Sequence, residues 1–476
     1  MGTMLQSKGL KLGELPDIVN INSPEMVIDI HEGYVNCGVD VVTTNAFGAN
    51  ETKLKGSGFT VEQIVDAAVQ NAKKAIGDKD VYVALGIGPI GELLEPMGTL
   101  SFEDAYNIFK RQVVQGVKSG ADLILIETMI DLYEAKAAVL AAKENSELPV
   151  FCTMSFEEDG RTFTGCSVAS MVMVLEGLGV DALGVNCSLG PKELAPIVDE
   201  ILSMATIPVM VQANAGLPSI VNGETVFNIS PEEFSHYKKI FVENGVRIVG
   251  GCCGTTAEHI KHLVNTVSKI KIQPKQNKAL SGVCTPTKAV IIDEVKVIGE
   301  RINPTGKKRF KEALVKGDID YILKEAIDQV EAGAHILDVN VGLPEIDEAK
   351  TMVKVIKEIQ SILDVPLQID STDPEVIEQG LRIYNGKAIV NSVNGEDGIL
   401  ESILPIVKKY GASVVGLTLD EKGIPSKAED RFRIAEKIVK KAKQYGINEE
   451  DIYIDCLTLT AAAQQEEVKE TVKALS

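Results

Sequence analysis

The chain has 476 residues, with 48 basic against 68 acidic side chains and a net charge of −20, a balance that excludes a nucleic-acid partner. Its composition, 45% hydrophobic and 24% charged, is that of a globular protein, and the length exceeds what one core supports, so two domains are expected. The start, Met-Gly-Thr-Met-Leu-Gln-Ser, carries no secretion signal, Gln6 breaks a myristoylation motif, and no apolar window is long enough to span a bilayer. Eight cysteines in so long a chain point to reduced thiols and a cytoplasmic setting.

In chain order, short β-rich runs alternate with amphipathic stretches. The first series predicts strands at Val39 to Thr44, Val81 to Leu85, Leu123 to Ile126, Val150 to Thr153, Ala182 to Val185, Val209 to Gln212 and Arg247 to Val249. One intervening helix is announced by the capping pattern Ser101-Phe102-Glu103-Asp104, followed by Ala105, Ile108, Phe109 and Val113 on one face. Repeated strand and helix units imply a parallel sheet with crossovers, an α/β fold of the TIM (β/α)8 type. Seven strands are one short of that barrel, and Met1-Gly2-Thr3 has the look of a loop after a first strand.

Residues 269–288 lose the periodicity and gather Lys, Pro and polar residues, so they are read as a linker between a domain over 1–268 and another over 289–476. A second series then runs through Val295 to Gly299, Ile336 to Val339, Leu367 to Ile369, Ala388 to Val390, Ser413 to Leu417 and Ile452 to Ile454. Six strands are two short of a second barrel.

In such barrels the chemistry sits at the C-terminal strand ends, and the residues there are unusually polar. Cys187 in Val-Asn-Cys-Ser-Leu-Gly-Pro and the pair Cys252 and Cys253 in Gly-Gly-Cys-Cys-Gly-Thr each follow an apolar run. Three thiolates with a vacant fourth position suit a catalytic zinc, which activates another thiol. Consecutive side chains on a strand face opposite ways, so both members of the pair reach one metal only if the backbone leaves the strand. Gly250, Gly251 and Gly254 permit that. The competing reading is that the pair are buried small residues, as Cys37, Cys152, Cys166, Cys284 and Cys456 are taken to be.

Glu127 closes Leu-Ile-Leu-Ile-Glu-Thr, too apolar a run for a carboxylate without a partner, which is either a substrate ammonium group or a neighbouring Lys or amide. Asn214 and Asn45 would complete an amino-acid pocket. Gly86-Ile87-Gly88-Pro89-Ile90-Gly91 matches a dinucleotide fingerprint, but Pro96 and Gly98 intervene before the next helix, so it reads as a barrel loop. The second series ends in Glu300, Asn340, Asp370, Asn391, Thr418 and Asp455. As a set these suit a polar planar ligand such as a fused pyrimidinone, although each acid alone also fits a helix cap.

These residues resemble one family over nearly the whole chain: cobalamin-dependent methionine synthase, in its homocysteine-binding and pterin-binding modules. The resemblance rests on Thr44-Asn45-Ala46-Phe47-Gly48-Ala49, the motifs around Cys187 and around Cys252 and Cys253, and Gly299-Glu300-Arg301-Ile302-Asn303-Pro304. It implies zinc on Cys187, Cys252 and Cys253, homocysteine oriented by Glu127 and Asn214, and 5-methyltetrahydrofolate held by Asp370, Asn391 and Asp455, with Glu300 and Asn303 lining the same pocket. The implied reaction carries a methyl group from methylcobalamin to homocysteine, with cobalamin remethylated from the folate. The family's first homocysteine strand, its later pterin strands and a cobalamin segment are absent. The near match to a cobalamin motif, Asp29-Ile30-His31-Glu32-Gly33, has its glycine one residue early and a helical pattern, so cobalamin is expected from another domain or protein. A methyltransferase using betaine or a methylsulfonium donor, and a fragment that only binds folate or zinc, are the alternatives.

Overall fold

The computed structural model describes residues 1–11, 13–221, 224–272, 277–458 and 465–476. It divides into two compact units, Met1–Lys278 and Ala279–Ser476.

In the first unit seven strands pair side by side in chain order: β1 (Val41–Thr43), β2 (Tyr82–Ile87), β3 (Leu123–Met129), β4 (Val150–Met154), β5 (Ala182–Asn186), β6 (Val209–Ala213) and β9 (Ile248–Gly251). Every pairing is parallel. A small antiparallel hairpin, β7 (Ser219–Val221) with β8 (Glu224–Val226), interrupts the series before β9. Strand order that follows the sequence without reversal, with a helix between most neighbours, is the winding of a barrel; a doubly wound sheet would reverse partway. β2 to β6 are buried along most of their length, and Leu123 to Ile126, which reads as an unbroken apolar run, is buried throughout.

The helix expected after Ser101 spans Phe102–Ser119, with the Ser101 hydroxyl accepting the Asp104 amide at 3.1 Å. Ala105, Ile108, Phe109 and Val113 are all buried beneath it. The glycine-rich stretch begins inside β2 at Gly86 and runs on into a loop, and the next helix in the chain begins only at Phe102, so no helix opens from its last glycine. His31 lies inside the helix Pro24–Val35 and is 2% exposed.

The second unit opens with an antiparallel hairpin, β10 (Gly282–Cys284) against β11 (Ala289–Ile291). The span read as linker therefore ends sooner than its composition indicated: Val283 and Val290 are buried, and the Tyr384 hydroxyl donates to the Cys284 carbonyl at 3.0 Å. Of that span, residues 273–276 lie outside the described residues. Six parallel strands follow in sequential order: β12 (Ile298–Ile302), β13 (Ile336–Val339), β14 (Leu367–Asp370), β15 (Ile389–Val393), β16 (Ser413–Leu417) and β17 (Ile452–Asp455). Here one expectation is corrected. The strand predicted at Val295 to Gly299 begins three residues later, because Asp293 and Glu294 clasp Lys296 in a turn that leaves Val295 91% exposed.

The chain thus carries two successive (β/α)8-type barrels, represented by seven and six consecutive strands. Among the described residues no helix is long and apolar enough to cross a membrane.

Candidate functional site

The three cysteines converge. β5 ends at Asn186 and β9 ends at Gly251, so Cys187, Cys252 and Cys253 all lie just past strand ends on one rim. Their sulfurs are all within 4.8 Å of one another, and those of Cys187 and Cys253 are 3.9 Å apart. Two sulfurs sharing a tetrahedral zinc at the usual bond length would sit about 3.8 Å apart. The backbone leaves the strand where the pair begins: the Cys252 carbonyl accepts the Thr255 hydroxyl at 2.7 Å, and Gly254 takes a φ of 77°. A Cβ on Gly254 would also fall 2.2 Å from the Phe227 ring, so no other residue fits there without displacement.

Charge explains why the cluster wants a cation. Hydrogen bonds from the Cys187 and Cys252 thiols hold the Cys253 thiol down to about 3, whereas the Cys187 and Cys253 sulfurs, with burial, push Cys252 well above its ordinary value. A divalent metal would favour the thiolate form of all three. The donor set fits zinc.

Strain is concentrated at the same rim. Cys187 and Ser188 have left-handed φ values of 60° and 51°, and the β-branched Thr128 has 63°. Each costs on the order of 1–3 kcal/mol and needs compensation nearby. Asn186 supplies it. Its Oδ1 accepts the Thr128 amide and the Thr153 hydroxyl, both at 2.7 Å, while its Nδ2 donates to the Thr128 hydroxyl at 2.7 Å. The Ser155 and Ser188 hydroxyls meet at 2.6 Å beside it.

Glu127 is held in β3 immediately before this strained residue. Burial is the main cause that pushes its carboxyl up to about 7, and the Cys187 sulfur adds repulsion. A Cβ built on Gly86 would lie 3.3 Å from the Glu127 Oε1, so the carboxylate rests against bare backbone of β2. Asn214 is buried, and its Oδ1 accepts the Cys253 amide at 3.1 Å, which fixes the turn carrying the thiol. Asn45 is buried as well, but its Nδ2 donates to the Pro16 carbonyl at 2.8 Å and so ties down the N-terminal segment.

In the second unit Asp338 occupies the middle of β13 and is 2% exposed. Its Oδ1 accepts from Gln368 at 2.5 Å and from Asn391 at 3.3 Å. Burial, followed by the charge of Asp370, raises it to about 7. Asp370 ends β14 opposite Asn391 in the strand register, and burial raises its carboxyl too. The Gln368 Oε1 is buried without a partner, which leaves an acceptor at the floor of this polar cluster. Glu300 is exposed and accepts from the Asn303 Nδ2 at 3.2 Å, and Asp455 is exposed with its Oδ1 accepting the Leu457 amide at 2.7 Å. Carboxylates flanked by amides offer a planar ligand both acceptors and donors.

A model of the homocysteine S-methyltransferase family matches residues 1–267. The chain belongs to that family. A second model, of pterin-binding enzymes, matches residues 299–476. The methionine synthases of Mycobacterium tuberculosis and Mycobacterium leprae are 33% and 31% identical to the chain over 100% of its length, covering 42% of theirs. The chain therefore spans less than half the length of these curated relatives. Among solved structures, the homocysteine methyltransferase MmuM from Escherichia coli in its oxidised form is 21% identical, covering 56% of this chain and 93% of that one at a TM-score of 0.49.

In this homocysteine S-methyltransferase family member the fold brings the three expected cysteines together and sets Asn214 against Cys253, whereas Asn45 turns to Pro16; Asn186, a strand-end residue beside Cys187, bonds Thr128 and Thr153. Asp338 was missed. It interrupts Ile-Leu-Asp-Val as Glu127 interrupts its own strand, so the same test, a carboxylate inside an apolar run, would have found it.

Proposed function

We propose that the chain methylates homocysteine, with zinc held by Cys187, Cys252 and Cys253 in the first barrel and 5-methyltetrahydrofolate bound by the second. The observation that carries this reading is the convergence of three sulfurs within 4.8 Å on the rim of a barrel whose family is that of homocysteine S-methyltransferases. Bound zinc supplies Lewis acidity, turning a coordinated thiol into a thiolate at neutral pH. The chain's own residues do the rest. Glu127 presents a carboxylate to the substrate ammonium group, Asn214 holds Cys253 in place by accepting its amide, and Asn186 fixes the strained turn behind Glu127.

In the second barrel Asp370 and Asn391 would bind the pterin edge, backed by Asp338, with Glu300, Asn303 and Asp455 along the pocket margin. The two matching families together favour a folate-derived methyl group. Cobalamin, as the carrier between folate and thiol, is assigned to a separate domain or protein: His31, in the one near match to a cobalt-ligating motif, is 2% exposed within a helix and does not fit that role.

The test is metal analysis followed by donor assays. The purified chain should contain about one zinc per molecule and transfer methyl groups from added methylcobalamin to homocysteine. A metal-free chain sinks the zinc reading. Transfer from betaine or a methylsulfonium compound, and not from methylcobalamin, would replace the cobalamin route, and folate binding without any methyl transfer would leave a binding protein.

A further inference from the structure

The interior of the second barrel changes character along its strands. Ile336, Ile389, Val415 and Tyr453, from four different strands, pack with Val283 and Val290 of the β10–β11 hairpin, so these side chains face inward. Side chains two residues further along a strand share that face. Asp338 follows Ile336 by two and Asn391 follows Ile389 by two, while Gln368 is paired with Asp338 across the strand register. An apolar layer is thus succeeded by a polar one.

Gln368 is the member of that layer left incompletely bonded. It is 5% exposed, its Nε2 donates to the Asp338 Oδ1 at 2.5 Å, and its Oε1 is buried with no partner among the described residues. The same Oδ1 accepts from the Asn391 Nδ2 at 3.3 Å, so Asp338 holds the Gln368 amide with its nitrogen turned in and its oxygen turned away. A buried acceptor without a donor forfeits the hydrogen bond it had with water, and native interiors seldom keep one unless something arrives to fill it. Asp370 lies two residues on in β14, so it shares the face of Gln368, and it stands opposite Asn391 in the register. Asp338, Gln368 and Asp370 together offer oxygen acceptors on one inward face.

Such a face suits a ligand edge carrying adjacent N–H donors and rejects one carrying a carbonyl in their place. We propose that Gln368 is a specificity-determining binding residue of the second barrel: its free Oε1 accepts from the exocyclic amine of a 2-amino-4-oxopyrimidine ring and selects that ring over its 2-oxo counterpart. The inference rests on the pterin reading given above and adds the atom that tells an amine from a carbonyl. A 2-oxo ring sets its own oxygen against the Gln368 Oε1. The amide cannot turn its nitrogen to that ring without facing its oxygen to the Asp338 carboxylate.

The experiment measures, by calorimetry on the full chain, the Kd of 6-methylpterin and of 6-methyllumazine, which carry an amine and a carbonyl respectively at ring position 2. The parent is compared with Gln368→Met, which keeps the length of the side chain without its amide, and with Gln368→Leu, a second apolar replacement. The parent should bind the pterin at least about fivefold more tightly than the lumazine, the low end of the cost of leaving one buried acceptor unpaired. In both variants that ratio should fall by about fivefold or more, through weaker binding of the pterin.

A smaller ratio in the parent overturns the proposal, and so does a smaller fall in either variant. Parallel weakening of both ligands leaves the ratio where it was and is such a result, since Gln368 would then only support the shape of the barrel interior. If Gln368→Met does not fold, Gln368→Leu decides by the same ratio, and the parent's own ratio is a readout that needs no variant. A parent chain that binds neither ring nor 5-methyltetrahydrofolate overturns the pterin reading itself. A parent that binds 5-methyltetrahydrofolate but does not tell the two rings apart keeps that reading and loses this one.

Discussion

Replacing Glu127 by Gln removes one oxygen's charge and little volume, which makes it a sharp probe of the amino-acid pocket. Burial raises the Glu127 carboxyl to about 7, so it is half ionised near neutrality and almost fully ionised at pH 8. Only the ionised form attracts an ammonium group. Between pH 8 and pH 6 the ionised fraction falls about tenfold, and the Kd for an amino acid should rise by the same factor. Losing the charge altogether breaks a desolvated pair, a cost of roughly 2–5 kcal/mol, or about 30-fold in Kd at the low end. Methionine is the suitable ligand for calorimetry, because its sulfur has no proton and its ammonium group does not titrate in this range. The parent should bind tightest at pH 8 and weaken towards pH 6, whereas Glu127→Gln should bind weakly with a flat profile. A parent profile that is flat, or a Gln variant that binds as tightly as the parent at pH 8, refutes the assignment of Glu127 to the ammonium group.

Cys253→Ser should lower the zinc content of the purified chain from about one per molecule to a small fraction, as measured by elemental analysis, since a hydroxyl does not replace a thiolate ligand. Gly86→Ala places a Cβ 2.7 Å from the Thr43 methyl and 3.3 Å from the Glu127 Oε1, so amino-acid binding should weaken while zinc content is kept; calorimetry and metal analysis on the same sample check both halves. Asp338→Asn tests the second barrel. Its carboxyl rises from an unfolded value of 3.8 to about 7, so the folded state favours the protonated form and loses stability as the pH climbs through that window. The Asn variant should therefore gain stability relative to the parent as pH increases from about 4, with the full gain above about 7, read as the denaturant midpoint of the second unit.

How much of this was legible beforehand follows from what each feature depends on. Parallel strands covered on both faces read as apolar runs of fixed length, so all thirteen expected barrel strands were found, with the one at Val295 displaced because exposed β-branched residues beside a turn look like a strand start. The hairpin of Gly282–Cys284 with Ala289–Ile291 was hidden, since short strands among lysines and prolines have no period to detect. Polar residues at strand ends marked the rim, and the cysteine motifs marked the chemistry.

The use made of each polar atom could not be read that way. Asn45 and Asn214 look alike in sequence, yet one amide secures Pro16 and the other secures Cys253, because loops far apart in the chain arrive at them from different sides. Asn186 becomes an organiser only once β3, β4 and β5 stand next to one another. Lys238, in Tyr-Lys-Lys-Ile-Phe, reads as a solvated lysine until the helix face that carries it turns inward.

The sequence by itself determined the strand and helix alternation, the two barrel series and the residue types on each rim, because local period and burial are written into neighbouring residues. Only the tertiary structure decided which sulfurs meet at 3.9 Å, which carboxylates are pushed towards neutrality and which lysine is buried. Those properties depend on distances between elements tens of residues apart, and electrostatic energy depends on separation in space rather than along the chain.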